Sequence, residues 1–174
     1  MTMAVQVNNI VNANIYLGGN NLLGCAEEIK LPVLKAVMKD HKALGMFGKL
    51  KLPAGFEALE GDIKWSSFYL DAFRAVANPL RALQLMCRSN VESWNAQGLS
   101  QERELVTLLT VSFQEFPLGS FKQHEQVDFP SKFTATYIKQ TLAGQDVVEL
   151  DVMSNIFRVG GEDMLANYRS HIGA

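Results

Sequence analysis

Residues 132–154 alternate apolar and polar side chains in two runs, and this pattern constrains the fold more than any other in the chain. In the first run Phe133, Ala135 and Tyr137 alternate with Thr134, Thr136 and Ile138; in the second Val148, Leu150 and Val152 alternate with Glu149, Asp151 and Met153. A period of two puts each set on its own face of a strand. Between the runs, Ala143-Gly144-Gln145-Asp146 carries the glycine that a tight turn favours. The pair predicts an antiparallel hairpin with one face packed and the other wet.

Strand signals dominate elsewhere. Asn14–Leu17 reads as a strand closed by the turn Gly18-Gly19-Asn20-Asn21, and Leu22–Leu31 continues extended until Pro32. Glu60–Ser66 is a short strand with Ile63 and Trp65 on one face, and Leu80–Arg88 and Glu104–Phe116 are two more, joined by a loop over 89–101 that holds Trp94. Ser67 is placed to cap a short helix over 68–77, with Leu70, Phe73 and Val76 on its apolar side and Pro79 beyond its end. A second helix is expected over 160–172, with Glu162 and Asp163 in its first turn and Arg169 and His171 in its last. Its stripe of Met164, Leu165, Tyr168 and Ile172 should pack against a neighbour, and Gly173 should stop it. The length of 174 residues suits a single domain, 1–174, with an amino-terminal extension over 1–12.

Residues 33–55 stand apart. Val33–Leu44 can be read as helical, but its lysines and the element Gly45-Met46-Phe47-Gly48 fit an exposed arm better than a core element. Lysines 35, 39 and 42 are costly to bury unpaired, whereas Val37, Leu44, Met46 and Phe47 supply apolar surface for a partner. The expected arm residues are therefore Lys35, Lys39, Lys42, Gly45, Met46, Phe47 and Gly48. Six lysines against one acid over 30–51, and five acids against two arginines from 145 onward, read either as a pair of solvated faces or as the basic end of one subunit meeting the acidic end of another, and charge alone does not choose between them.

Sites for chemistry do not emerge. His41, His124 and His171 show no metal-ligand spacing, and no phosphate-binding glycine loop or GxSxG elbow is present. Cys25 and Cys87 read as two inert thiols. The neighbouring carboxylates Glu149 and Asp151 read as a wet sheet face. With a pI near 5.9, tight phosphate binding is disfavoured. No apolar run approaches the roughly 20 residues that span a bilayer, and the first residues lack the pattern of a secretory signal. No catalytic, cofactor or metal site is expected.

The two ends of the chain carry a resemblance. Tyr137–Gln140, the turn over 143–146 and Val147-Val148-Glu149-Leu150-Asp151 resemble the last hairpin of the contractile-phage major tail tube family. Asn155–Leu165 is similar to that family's Asn-Gly-x-Asp-x-Leu helix start, with Gly160 in place of the usual asparagine, and Arg169 with Ile172-Gly173-Ala174 resembles its ending. Nearer the front, Asn14–Gly19, Lys30–Leu34 and Gly45–Gly48 match family elements in the same order. Residues 82–128 carry no alignment.

The resemblance implies a mainly β subunit, a sandwich or half-barrel of antiparallel strands with a short flanking helix and a carboxy-terminal helix. Its inner sheet would complete a barrel across a hexameric ring. Stacked rings would form a virion tail tube, assembled in the host cytoplasm, that passes double-stranded DNA without reading its sequence. The implied partners are other copies of the chain, the sheath, tape-measure, baseplate and tail terminator proteins, with no insertion into a membrane. The tube of a phage-tail-like bacteriocin or a type VI secretion machine is the alternative, and a small β-barrel ligand-binding protein is the alternative from another class.

Overall fold

The computed structural model describes residues 5–125 and 127–174. In chain order the strands are β1 (Val7–Leu17), β2 (Asn20–Asn21), β3 (Ala26–Lys30), β4 (Ala36–His41), β5 (Leu50–Phe56) and β6 (Leu59–Trp65). Helix α1 (Leu70–Val76) follows, then β7 (Leu83–Asn95), β8 (Gly98–Phe113), β9 (Phe129–Leu142), β10 (Gln145–Asp151), β11 (Ile156–Val159), β12 (Glu162–Asp163) and helix α2 (Ala166–Ile172). All pairings between the named strands are antiparallel.

One ten-stranded sheet holds every strand except β4 and β5, in the order β12-β11-β10-β9-β8-β7-β1-β2, with β6 and β3 branching from β9. The branch point has a local cause. Thr110 faces Tyr137 while Val111 faces Ala135, so Thr136 is the extra residue of a bulge. Below it Phe129–Ala135 pair with β6, and above it Tyr137–Leu142 pair with β10. The bulge also reverses the alternation: Phe133 and Ala135 are buried, and so is Ile138, which strict alternation from residue 133 places on the wet face.

The two branches enclose a single apolar core. Ile15 and Leu17 of β1, Leu83, Leu85 and Cys87 of β7, and Leu109, Val111 and Phe113 of β8 meet Leu59, Ile63 and Trp65 of β6. Helix α1 plugs one end through Phe73, whose ring lies 5.8 Å from Trp65, 4.5 Å from Phe68, 5.7 Å from Phe116 and 5.4 Å from Phe129. Tyr69, not Ser67, occupies the N-cap position, and no side chain caps the helix. Phe73 and Val76 are buried as expected, but Leu70 is exposed.

Several expected boundaries move. Residues 7–12, set apart above as an extension, run within β1, and Val7–Ile10 pair with β7 before the register shifts between Ile10 and Ala13. The loop expected over 89–101 is instead the far end of a long β7–β8 hairpin that turns at Asn95–Gly98. The helix expected over 160–172 is reduced to α2, because Gly160 and Gly161 form a turn with φ of 58° and 88° and Glu162–Asp163 return as β12. The helical alternative for 33–44 gives way to a β4–β5 hairpin.

Candidate assembly surfaces

The β4–β5 hairpin forms a two-stranded sheet of its own, outside the main sheet. Its base is tied down: the Glu57 amide donates to the Lys35 carbonyl at 2.8 Å, Lys35 pairs with Glu57 at 2.9 Å, and the Phe56 ring lies 4.8 Å from Phe157. From Met38 to Gly55 every residue is exposed. The last strand pair is His41 with Leu50, so residues 42–49 form the tip. There the Met46 amide donates to the Ala43 carbonyl at 3.2 Å, and Gly45 takes a φ of 88° that a side chain would strain. Gly48 has open space around it, and Leu44 and Phe47 stand fully exposed. Lys39, Lys42, Lys49 and Lys51 form no ion pair among the described residues.

Four of the five carboxy-terminal acids are engaged within the subunit. Within the subunit Asp146 is held by Lys139 at 3.0 Å, Glu149 by Arg158 at 2.8 Å and Asp163 by Arg169 at 2.6 Å. Asp151 accepts from the Met153 and Ser154 amides and the Ser154 hydroxyl. The carboxyl of Asp163 is held below the usual carboxylate range, first by its hydrogen bond from Arg169. Tyr137 donates to Glu149 at 3.1 Å, and burial, with that carboxylate beside it, pushes its hydroxyl up to about 12.

Helix α2 is not docked by its apolar stripe. Met164, Tyr168 and Ile172 are each about half exposed, Leu165 is half-buried, and the helix itself buries no residue. Polar contacts hold it instead. Arg169 grips Asp163 and the Asn155 carbonyl, the latter at 2.9 Å, and the Leu165 amide donates to Asp163 at 3.0 Å. Gly173 closes the helix in the left-handed conformation, with its amide donating to Arg169. Leu165 and Tyr168 face a groove of about 620 Å³ between the hairpin base and the β10–β11 turn, shared with Phe56, Leu150, Val152 and Phe157.

Two further features were not legible beforehand. Val7–Ala13 of β1 has no strand beyond it among the described residues, so one side of the sheet ends in an open edge, while β12 ends the other. The sheet face away from the core carries a cross-strand polar ladder: Arg88 to Glu104 at 2.7 Å and Asn90 to Glu102 at 2.8 Å, continuing through Lys139–Asp146 and Arg158–Glu149. Cys25 and Cys87 are free thiols, and burial pushes the Cys87 thiol up. Among the described residues no His, Cys, Asp and Glu cluster could hold a metal ion, and no helix is long and apolar enough to cross a membrane.

A sequence model described as phage tail tube protein FII matches residues 7–173. The tail tube protein of Escherichia phage P2 is 24% identical over 169 residues, covering 92% of this chain and 94% of that protein. Two solved structures share the fold at 9% identity. One is a chain of the sheath–tube complex of the extracellular contractile injection system PVC in its extended state (TM-score 0.55, 74% of this chain and 87% of that one). The other is a chain of that system's sheath/tube terminator (TM-score 0.54, 74% and 92%). The match over nearly the whole length, on an antiparallel β fold, places the chain in the phage tail tube protein FII family, structural components of the virion tail and not enzymes.

Proposed function

We propose that this chain is the repeating subunit of a contractile phage's tail tube, joined edge to edge into hexameric rings that stack into a channel for DNA. The open edge of β1 carries this reading: among the described residues the backbone groups of Val7–Val11 that point away from β7 have no neighbouring strand, and closing the sheet across subunits would satisfy them. The β4–β5 hairpin supports it as a contact between subunits, since Leu44 and Phe47 at its tip stand fully exposed.

The polar ladder on the outer sheet face suits the channel wall. Its arginines and lysine are each matched to a carboxylate, so a passing polyanion meets no uncompensated cation there. In this role the tube is surrounded by a sheath, filled by a tape-measure protein before DNA passes, and ended by baseplate and terminator proteins.

Negative-stain microscopy of the purified protein, concentrated in chelator-containing buffer, tests the reading. Rings or rods of uniform width are expected. A sample that stays monomeric in sedimentation at the same concentration would overturn it.

A further inference from the structure

A strand that joins an edge needs a register, and burial does not set one on β1. Where one face of a strand is buried, a slip of one residue carries its apolar set into water and is resisted. Along β1 every residue from Val7 to Ala13 is exposed, on both faces of the strand. Side-chain alternation therefore gives an incoming strand no preferred alignment there. We propose that Asn12, with the bulge it sits in, is the stop that fixes how far the next copy's strand runs along this edge, an inference that rests on the tube reading above.

The stop follows from where the backbone groups point. Ile15 turns its carbonyl away from β7 to accept the Leu22 amide at 2.9 Å. Alternate residues of a strand direct their backbone groups to the same side, so Ala13 also turns outward. Its amide is already taken, donating to the Asn12 side-chain oxygen at 2.8 Å, and the Ile15 amide donates to the Asn14 side chain at 2.9 Å. Asn14 in turn donates to the Asn21 side chain at 2.8 Å, which ties this stretch to β2. Below it, Ile10 faces Val91 while Ala13 faces Ser89, so β1 carries one residue more than β7 between these pairs. That extra residue brings Ile10 and Asn8 into the outward phase of Ala13, and neither amide has a side-chain partner among the described residues. The edge thus has two parts, a free run over Val7–Val11 and, past the bulge, a stretch whose donors are spent. A strand arriving along the free run meets an occupied amide on a bent backbone and ends there. Where it ends sets its register.

Hydrogen exchange on the intact chain, free in dilute solution and assembled, tests the stop. Assembly should slow exchange at Asn8 and Ile10 at least about tenfold, since each gains a partner strand. Exchange at Ala13 should not change. Asn12→Ala alters an exposed position, so melting should hold. It frees the Ala13 amide, so protection on assembly should spread to Ala13, and tubes should lose their uniform width as strands settle in more than one register. Asn12→Asp keeps an acceptor oxygen and should restore the wild-type pattern. Wild-type tubes in which Ala13 gains protection or Asn8 and Ile10 gain none, or Asn12→Ala tubes with the wild-type protection boundary and width, would overturn the stop and leave the tube reading standing. A wild-type chain that does not assemble at all would instead remove the tube reading, and it shows before any variant is made.

Discussion

Trp65 donates its indole N–H to the Ser131 hydroxyl at 2.9 Å, with both residues sealed from solvent. Ser131→Ala leaves that donor without a partner in the core and should cost about 1–3 kcal/mol in denaturant unfolding, with an unchanged m-value. Gly61 is constrained by space rather than by backbone angle. A Cβ there would sit 2.5 Å from the Lys30 carbonyl oxygen and 2.5 Å from the Phe133 ring, so Gly61→Ala must push β3 away from β6 or move a fully buried ring. A loss of about 1–3 kcal/mol is expected, again read from the unfolding midpoint. Tyr137 makes a pH statement. Its hydroxyl keeps its proton up to about 12 in the folded chain, against an ordinary 10. Its contribution to stability is therefore whole below pH 10 and is lost as pH rises to about 12, because the unfolded chain ionises first. Tyr137→Phe should flatten the stability profile across that window.

At the scale of elements, α2 is held by charge and capping rather than by burial. Asp163 has a folded value depressed mainly by Arg169, so its contribution is present above the ordinary carboxylate range, near 3.9, and disappears as pH falls through the depressed value. Asp163→Asn should speed amide exchange and proteolysis across residues 164–174 while leaving the core melt in place. The amphipathic stripe that suggested packing was readable in the sequence, but its destination was not, because an apolar face looks the same whether its own subunit or another copy covers it. The 132–154 hairpin and the β6 strand were legible because strands that cross the core alternate over most of their length, although the bulge at Thr136 reverses the phase within β9. Residues 89–101 were not, since this part of the β7–β8 ribbon runs beyond the main core and Ser89, Asn90, Glu92 and Ser93 need no apolar period. The signal that could have found it is the turn, where the Gln97 amide donates to the Asn95 side chain at 2.8 Å and Gly98 takes a φ of 114°. The helical alternative over 33–44 had propensity in its favour through Leu34, Lys35, Ala36 and Met38, and pairing with β5 overrode it.

For the molecule as a whole, the division is between a core that is complete in one copy and surfaces that are not. The family was legible at the chain's two ends, where short motifs recur in order. The open edge, the polar ladder and the groove were not, because each is made by strands that meet only in the fold. The same division yields a test of the arm's role. No residue from Asp40 to Lys51 belongs to the core, and the base of the hairpin is fixed separately by Lys35, Glu57 and Phe56. Replacing residues 40–51 by a short Gly/Ser turn should therefore change subunit stability by no more than about 0.5 kcal/mol, the range of ordinary surface substitutions. It should nonetheless abolish tubes in micrographs. Ionic strength separates the two kinds of contact the arm can make. If its unpaired lysines find carboxylates across the interface, raising salt from about 0.05 to about 0.5 M should weaken assembly of the full-length chain, since exposed pairs are screened over roughly 10 Å. If the apolar tip dominates, assembly should hold or strengthen over that range. A shortened arm that still gives long tubes would move the stacking contact elsewhere on the subunit, and one that unfolds would make the hairpin part of the core after all.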